Sequence, residues 1–102
     1  IVLDPGIGFF RQAAHSWDVV DTLIVQQLAH FRHYGQPLLV GISRKSFIGK
    51  LTDRPDAAER LAGSLAATAI AVYNGAAMVR THDVAATRDT VRVATAMRSV
   101  SA

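Results

Sequence analysis

The amino-acid sequence predicts an α/β fold built on a parallel sheet, and three observations support that class. Apolar segments without polar alternation occur at residues 1–3, 38–42 and 77–79, which is typical of strands buried on both faces. These segments recur at nearly equal intervals along the chain. The stretches between them repeat apolar residues three or four positions apart, as amphipathic helices do. Such alternation of strands and helices is characteristic of a parallel sheet covered by helices.

Three helices are expected, one after each predicted strand. Ser16 is a candidate N-cap of the first, which ends at Gly35. Asn74 and Gly75 close the second, and Asp83 is a candidate N-cap of the third. The apolar positions expected in the core are Trp17, Val20, Ile24, Leu28 and Phe31 in the first helix, Leu61, Leu65, Ala69 and Ile70 in the second (residues 56–73), Val84, Val91, Ala94 and Met97 in the third (from about residue 85), and Met78 in the last strand.

The length of each strand-helix unit favours a barrel over an open sheet. Each unit spans just under forty residues, so eight units would give roughly the 250 residues or more of a (β/α)8 TIM barrel, whereas three cannot close one. Residues 1–102 are therefore interpreted as a partial barrel with three parallel β-α units. A Rossmann-like sheet is the alternative, but no G-x-G-x-x-G opens any of the predicted helices.

Composition excludes several function classes. The chain has 102 residues, a net charge of +3 and no cysteine, so disulfides and thiolate metal sites are ruled out. Its charged residues are spread along the chain and few aromatic residues lie among them, which argues against nucleic-acid binding. No apolar run approaches the ~18 residues of a membrane span, so we expect no membrane partner and a cytoplasmic protein. Because Ile1 already lies in an apolar run, we expect a longer chain upstream.

The third strand exit reads "VRTHDV". Sites in parallel α/β proteins form at the carboxyl ends of strands, and residues two apart in a strand face the same way. Arg80 and His82 therefore share a face, and their donors suit a phosphate or pyrophosphate. The structural alternative pairs Arg80 with Asp83 and buries His82 in a hydrogen bond.

The second exit, "GISRKSF", holds two adjacent cations. Side chains two residues apart in a strand share a face, so Lys45 should face the same way as Gly41, toward the barrel mouth, and Arg44 should face another way. At the mouth, an ammonium can hydrogen-bond a heterocycle. Ser46 and nearby amides could face a carboxylate or phosphate. Alternatively, both cations pair with carboxylates near the following helix, at Asp53, Asp56 or Glu59.

The first exit, "DPGIGFF", offers a carboxylate and two aromatic rings. Asp4 can accept a pair of N–H groups from an amino-pyrimidine, or it can cap the Pro-Gly turn that follows it. Phe9 and Phe10 offer flat apolar surface, which is more often core than ligand-stacking. The remaining histidines, His15, His30 and His33, lack metal-ligand spacing, so we expect no zinc site.

Four motifs together resemble dihydropteroate synthase, the folate-pathway enzyme, over essentially the whole chain. They are "DPGIGF" (residues 4–9), "SRKSFIG" (43–49), "ERLAGSLA" (59–66) and "RTHDV" (80–84). The resemblance implies that residues 1–102 are the C-terminal part of a pterin-binding TIM-barrel domain. It implies a transferase that joins 6-hydroxymethyl-7,8-dihydropterin pyrophosphate to p-aminobenzoate and releases pyrophosphate with the help of Mg²⁺.

The same resemblance implies roles for individual residues. Lys45, Arg80 and His82 would be the catalytic positions: Lys45 on the pterin ring, Arg80 beside the pterin and pyrophosphate, and His82 on the pyrophosphate. Asp4 would bind the pterin's amino-pyrimidine edge. The p-aminobenzoate pocket would be lined by Phe9, Arg44 and Ser46, and Gly41 would leave space beside the pterin.

Other expectations follow from the family pattern. Where many members have Gly and Lys after "GF", this chain has Phe10 and Arg11, a form that is reminiscent of sulfonamide-insensitive members of a drug-target family. The resemblance also implies a homodimer of the full-length protein, and we expect the isolated chain to be inactive. Two alternatives stay open: a non-catalytic phosphate-binding partial barrel that self-associates, and a pterin-dependent methyltransferase.

Overall fold

A computed structural model of the chain describes residues 1–8 and 17–100. Within these ranges helices and short strands alternate, as the sequence predicts for an α/β fold. The elements in chain order are helix α1 (Trp17–Gln26), a 3-10 segment (Leu28–Tyr34), strand β1 (Leu38–Val40), helix α2 (Ser46–Thr52), a 3-10 turn (Ala57–Glu59), helix α3 (Leu61–Tyr73), strand β2 (Ala76–Val79) and helix α4 (Val84–Ser99).

The three predicted strands lie side by side in the expected order, but the first contributes a single bridge. Strands β1 and β2 pair in parallel. Leu3 joins the other side of β1 through an isolated parallel bridge to Leu38, in which the Leu3 N–H donates to Pro37 O at 2.9 Å and the Leu39 N–H donates to Leu3 O at 2.8 Å. This arrangement is a partial parallel barrel wall, and the predicted fold class is confirmed.

The register of the two strands contains one irregularity. Leu38 pairs with Ala76, but the next residue, Leu39, pairs with Met78, so that Ala77 is an extra residue in β2. Beyond it the ladder is regular, since Val40 pairs with Val79 and the Arg80 N–H donates to Val40 O at 2.9 Å. An extra residue of this kind changes which face the following side chains occupy.

The core lies between the sheet and the helices. Its largest fully buried apolar side chains are Leu28, Leu38, Val40, Ile42 and Phe47. Ile42 extends the buried run of β1 beyond the last residue with ladder hydrogen bonds, in line with the predicted segment.

Several predicted core positions are exposed instead. Met78 is 49% exposed and Met97 is 65% exposed, so their assignment to the core is wrong within the described residues. In α3 the buried residues are Ser64, Thr68, Ala71 and Val72, whereas the predicted core positions Leu61 and Ile70 are 42% and 52% exposed. Gly63 lets α3 approach α2 closely, because a Cβ at that position would stand 2.6 Å from Ile48 Cγ2. The side chain of Trp17 lies outside the described residues.

Helix α2 was not predicted from the sequence. It begins after Lys45, whose backbone is extended (φ −66°, ψ 154°), and ends at Asp53, which is left-handed at φ 56°. A left-handed terminator is usually Gly, so an Asp in that position hides the helix end from sequence inspection. The second predicted helix also begins later than expected, at Leu61, because Ala57–Glu59 forms a separate 3-10 turn capped by the Asp56 carboxylate.

Candidate functional site

A cavity of about 330 Å³ lies at the carboxyl ends of β1 and β2. The side chains and backbone that line it are Gly41, Ser43, Lys45, Arg80, Thr81 and His82. Alternate residues from each strand exit thus meet in one place, as the two-residue period predicts. The cavity brings together two permanent cations and an imidazole, with no carboxylate among its lining residues, so it suits an anionic ligand.

Arg80 lies directly over Gly41. A Cβ added to Gly41 would stand 3.0 Å from Arg80 Nη2 and 3.3 Å from Nε, which is tighter than ordinary van der Waals contact. The absence of a side chain at position 41 therefore makes room for the guanidinium. The role predicted for Gly41, which is to leave space beside the pterin, stays a prediction.

His82 is oriented by the hydroxyl of Ser43. The His82 backbone N–H donates to Ser43 Oγ at 3.2 Å, and the ring Nδ1 lies 2.9 Å from the same oxygen. Ser43 is only 8% exposed, whereas His82 is exposed. A buried hydroxyl at the end of β1 thus fixes an accessible imidazole at the end of β2.

Lys45 closes the cavity against the first loop. Its Nζ donates to Ile7 O at 3.1 Å, and a Cβ on Gly8 would stand 3.2 Å from its Cδ. Gly8 has a φ of 89°, a left-handed conformation that glycine adopts without steric cost. The loop after the first bridge therefore approaches Lys45 closely and directs its ammonium.

Arg44 does not line the cavity, and both its backbone and its side chain are hydrogen-bonded. Its backbone is left-handed at φ 57°, which is uncommon for a residue other than glycine. The conformation is held because Arg44 N–H donates to Ser64 Oγ at 2.9 Å and Arg60 Nη1 donates to Arg44 O at 2.9 Å. This turn rotates the chain so that Lys45, the next residue, faces the cavity.

The Arg44 side chain pairs with Asp83 rather than with any predicted partner. Its Nη2 donates to Asp83 Oδ1 at 2.8 Å and its Nε to Oδ2 at 3.3 Å. Hydrogen bonds from Arg44 hold the pKa of Asp83 below its ordinary value, with the positive charges of Arg44 and His82 acting in the same direction and burial opposing them. The same pair raises the pKa of Arg44. Pairing of Arg44 with Asp53, Asp56 or Glu59, and of Arg80 with Asp83, is therefore wrong.

The other predicted site residues lie outside the cavity lining. Asp4 accepts the Gly6 N–H at 2.8 Å, so it caps its own turn, which is the structural alternative set out above. Ser46 is exposed at the start of α2. Asp83 precedes α4, but its side chain makes no capping hydrogen bond because it is bound to Arg44. Phe9 and Phe10 lie outside the described residues.

The described residues do not fit a Mg²⁺ site. Within residues 1–8 and 17–100, no group of three or more His, Asp or Glu side chains is placed to hold a metal ion. Mg²⁺ prefers carboxylate and phosphate oxygens, whereas the cavity is lined by cations and hydroxyls.

In the same part of the chain, no helix is both long and apolar enough to cross a membrane.

Three positioning residues were missed by sequence inspection. Ser43 shares the odd-numbered parity of Gly41 and Lys45, and that signal could have identified it as a cavity residue. Ser64 and Arg60 both belong to the motif "ERLAGSLA", but their contacts to Arg44 span 20 and 16 residues. A single sequence contains no local signal for such contacts.

The chain matches the family model described as "Pterin binding enzyme" over residues 1–82. It is 43% identical over 99 residues to dihydropteroate synthase of Escherichia coli K12, covering 97% of this chain and 33% of that protein. It is 45% identical over 97 residues to dihydropteroate synthase of Synechocystis, covering 95% of this chain and 32% of that protein. The chain therefore spans about a third of the length of these relatives.

Solved structures of dihydropteroate synthases are also similar to this chain. A Coxiella burnetii dihydropteroate synthase in complex with pteroic acid superposes with a TM-score of 0.86 at 41% identity, covering 98% of this chain and 35% of that one. A Xanthomonas albilineans dihydropteroate synthase in complex with 7,8-dihydropteroate superposes with a TM-score of 0.85 at 38% identity, covering 98% of this chain and 37% of that one. Both relatives carry a pterin-containing ligand.

Proposed function

The chain belongs to the family of pterin binding enzymes, and we propose that it forms part of the active site of a dihydropteroate synthase. In this proposal residues 1–102 are the C-terminal part of the barrel domain. The enzyme joins 6-hydroxymethyl-7,8-dihydropterin pyrophosphate to p-aminobenzoate and releases pyrophosphate. The observation that carries the proposal is the cationic cavity in which Lys45, Arg80 and His82 meet.

The cavity would bind the pterin pyrophosphate at both of its ends. The Lys45 ammonium has three donors, one of which is used by Ile7 O, and another would bond the pterin ring. Arg80 and His82 would bond the pyrophosphate oxygens. Arg80 is well suited to this task because a guanidinium binds phosphate oxygens in a bidentate manner.

The reaction in this proposal is a displacement at the pterin methylene. The aniline nitrogen of p-aminobenzoate forms the new C–N bond, the C–O bond to pyrophosphate breaks, and the nitrogen loses a proton. Negative charge grows on the departing pyrophosphate, so Arg80 and His82 would stabilise the transition state by position and electrostatics. No side chain of this chain acts as a nucleophile.

The second substrate would lie on the side of Arg44, Ser46 and Phe9. Arg44 is bound to Asp83, so it would serve as a fixed wall of the p-aminobenzoate pocket rather than as a mobile ligand. Asp4 would bind the amino-pyrimidine edge through the carboxylate oxygen that does not accept from Gly6. The Mg²⁺ that the resemblance implies would take its protein ligands from outside the described residues.

The homodimer, the cytoplasmic location and the response to sulfonamides are parts of this proposal that rest on the family resemblance. The alternatives make different predictions. A self-associating phosphate-binding module would bind anions without preferring a pterin, and a pterin-dependent methyltransferase would not use p-aminobenzoate.

A hybrid enzyme tests the proposal. In the Escherichia coli relative, the third that matches this chain is replaced by residues 1–102, and dihydropteroate formation is measured. We expect activity from the hybrid and none from the isolated chain. Arg80→Ala in the hybrid should lower kcat/KM by about 10²-fold, the typical effect of removing one donor to a developing charge.

Arg54→Ala is the matched control, because Arg54 pairs with Glu59 on the surface and is absent from the cavity lining. It should leave the hybrid's rate unchanged. A folded hybrid without activity, or equal losses from Arg80→Ala and Arg54→Ala, would contradict the proposal.

A further inference from the structure

We infer that Ser43 is a positioning residue that fixes a hydrogen on Nε2 of His82, so that the imidazole always presents a donor to the anion in the cavity. The inference deepens the proposed function, because it takes the anion to be the pyrophosphate group. It depends on two hydrogen bonds that meet at one buried hydroxyl.

The hydrogen-bonding capacity of Ser43 sets the first step. A serine hydroxyl has one hydrogen and two lone pairs. The His82 backbone N–H can only donate, so Ser43 Oγ must accept it, at 3.2 Å. One hydrogen and one lone pair remain available for the ring nitrogen Nδ1, which lies 2.9 Å away.

The second step concerns the neutral imidazole. Among the described residues, the hydroxyl hydrogen of Ser43 has no acceptor other than His82 Nδ1. If that hydrogen points to Nδ1, then Nδ1 accepts and the ring's only hydrogen is on Nε2. The opposite tautomer would leave a buried hydroxyl hydrogen without a partner, which is costly.

The third step concerns the protonated ring. In His82⁺ both nitrogens carry hydrogens, and Nδ1–H can donate to the remaining lone pair of Ser43. Nε2 again carries a hydrogen. Ser43 therefore disfavours the one state that would present a lone pair from Nε2 and repel a phosphate oxygen.

The local structure makes this geometry reproducible. Ser43 is 8% exposed and lies three residues beyond β1, just as His82 lies three residues beyond β2, the strand with which β1 pairs in parallel. Arg80 and Lys45 line the same cavity, and their donors are already fixed by chemistry, because neither side chain has a lone pair to offer at neutral pH. Among Lys45, Arg80 and His82, only His82 has a ring nitrogen that can either donate or accept, so its tautomer decides what it presents to the anion.

A matched pair of variants tests the inference. Ser43→Thr keeps the hydroxyl. Ser43→Val introduces a side chain of nearly the same shape as threonine but without the hydroxyl. Two-bond ¹H–¹⁵N correlation spectra of the ¹⁵N-histidine-labelled chain report the tautomer of His82, assigned with a His82→Gln spectrum and recorded at about pH 8, above the ordinary histidine range. Ser99→Ala, at the exposed end of α4, is the control for serine loss.

In the wild-type and the Thr variant we expect a single tautomer with the hydrogen on Nε2. In the Val variant the ring nitrogens should shift toward the averaged values of a free imidazole, and affinity for inorganic pyrophosphate should fall about 5–10-fold relative to Thr, the equivalent of one lost hydrogen bond. Wild-type spectra with the hydrogen on Nδ1, or Thr and Val spectra that coincide, would overturn the inference.

The two proposals fail separately. If the wild-type chain shows the Nε2–H tautomer but does not bind pyrophosphate, the inference about Ser43 stands and the proposed ligand is wrong. If the Val variant does not fold, as judged by circular dichroism, the wild-type tautomer still decides the question.

Discussion

Gly49 and Arg60 lie in close contact, and substitutions at the two positions are expected to be coupled. A Cβ on Gly49 would stand 2.5 Å from Arg60 Nε and 2.6 Å from both Cζ and Nη2. The guanidinium thus lies flat against the bare backbone of α2. From that position it donates to Arg54 O at 2.9 Å, to Arg44 O at 2.9 Å and to Pro55 O at 2.7 Å.

The substitution Gly49→Ala should be destabilising for a reason that lies outside its own helix. The methyl group would force the guanidinium to withdraw by about 1 Å to reach ordinary contact, and the three hydrogen bonds would be lost or stretched. At about 0.5–1.5 kcal/mol each, their loss amounts to roughly 1.5–4.5 kcal/mol. The helix propensity of Ala offsets about 1 kcal/mol of this, which leaves a net loss of about 0.5–3.5 kcal/mol.

Removing the Arg60 side chain should reverse the sign of the stability change that Gly49→Ala causes. In an Arg60→Ala background the new methyl group meets no guanidinium, and Gly49→Ala should stabilise the chain by about 0.5–1 kcal/mol through helix propensity alone. Urea unfolding of the wild-type, both single variants and the double variant gives the coupling free energy, which we expect to equal the hydrogen-bond loss of about 1.5–4.5 kcal/mol.

The Arg54→Ala background is the control for loss of a nearby arginine. Arg54 contributes its carbonyl to Arg60, and a backbone group survives the substitution, so Gly49→Ala should stay destabilising there. An equal effect of Gly49→Ala with and without Arg60 would refute the reasoning.

Two further predictions concern single contacts. The pKa of Asp83 is held below its ordinary value of 3.8, so its pairing stabilises the fold fully above that value and is lost as pH falls through the lower folded-state pKa. The stability difference between wild-type and Asp83→Asn in urea unfolding should therefore shrink as pH falls below 4, and a constant difference would contradict the assigned pairing. Asn74 Nδ2 donates at 3.1 Å to both Val25 O and Gln26 O at the end of α1. Asn74→Ala should cost about 1–2 kcal/mol, and Asn74→Asp at least as much, because a carboxylate cannot donate; an Asp variant as stable as wild-type would contradict this role.

The parallel sheet and the location of the site could be predicted because both depend on short-range periodicity. Apolar runs identify the strands, and the two-residue period identifies which residues at each exit share a face. Lys45, Arg80 and His82 meet in one cavity for that reason. The same local logic assigned Asp4 two roles, and the turn that follows it supplied the one that is observed.

The features that could not be predicted depend on contacts between distant segments or on rare backbone conformations. Arg44 pairs with Asp83 across 39 residues, although the three carboxylates predicted as its partners are nearer in sequence. Arg44 and Asp53 are left-handed without being glycine, so neither the turn before Lys45 nor the end of α2 has the usual residue signal. The exposed side chains of Met78 and Met97 depend on what packs against them, which periodicity alone does not report.

The extra residue in β2 has a consequence for how this region tolerates changes of length. If Ala77 paired regularly with Leu39, so that the Leu38–Ala76 register continued without a bulge, Arg80 would fall opposite Ile42, and both Arg80 and His82 would turn toward the helices. The Leu39–Met78 pair fixes which face of the sheet the following residues occupy. Insertions or deletions before Met78 can therefore be accommodated in the bulge while Arg80 and His82 keep facing the cavity. Between Met78 and His82, a single added or deleted residue would move the side chains that face the cavity to the opposite face of the sheet. Recombination between relatives is therefore compatible with a working cavity only where the number of residues from Met78 to His82 is unchanged.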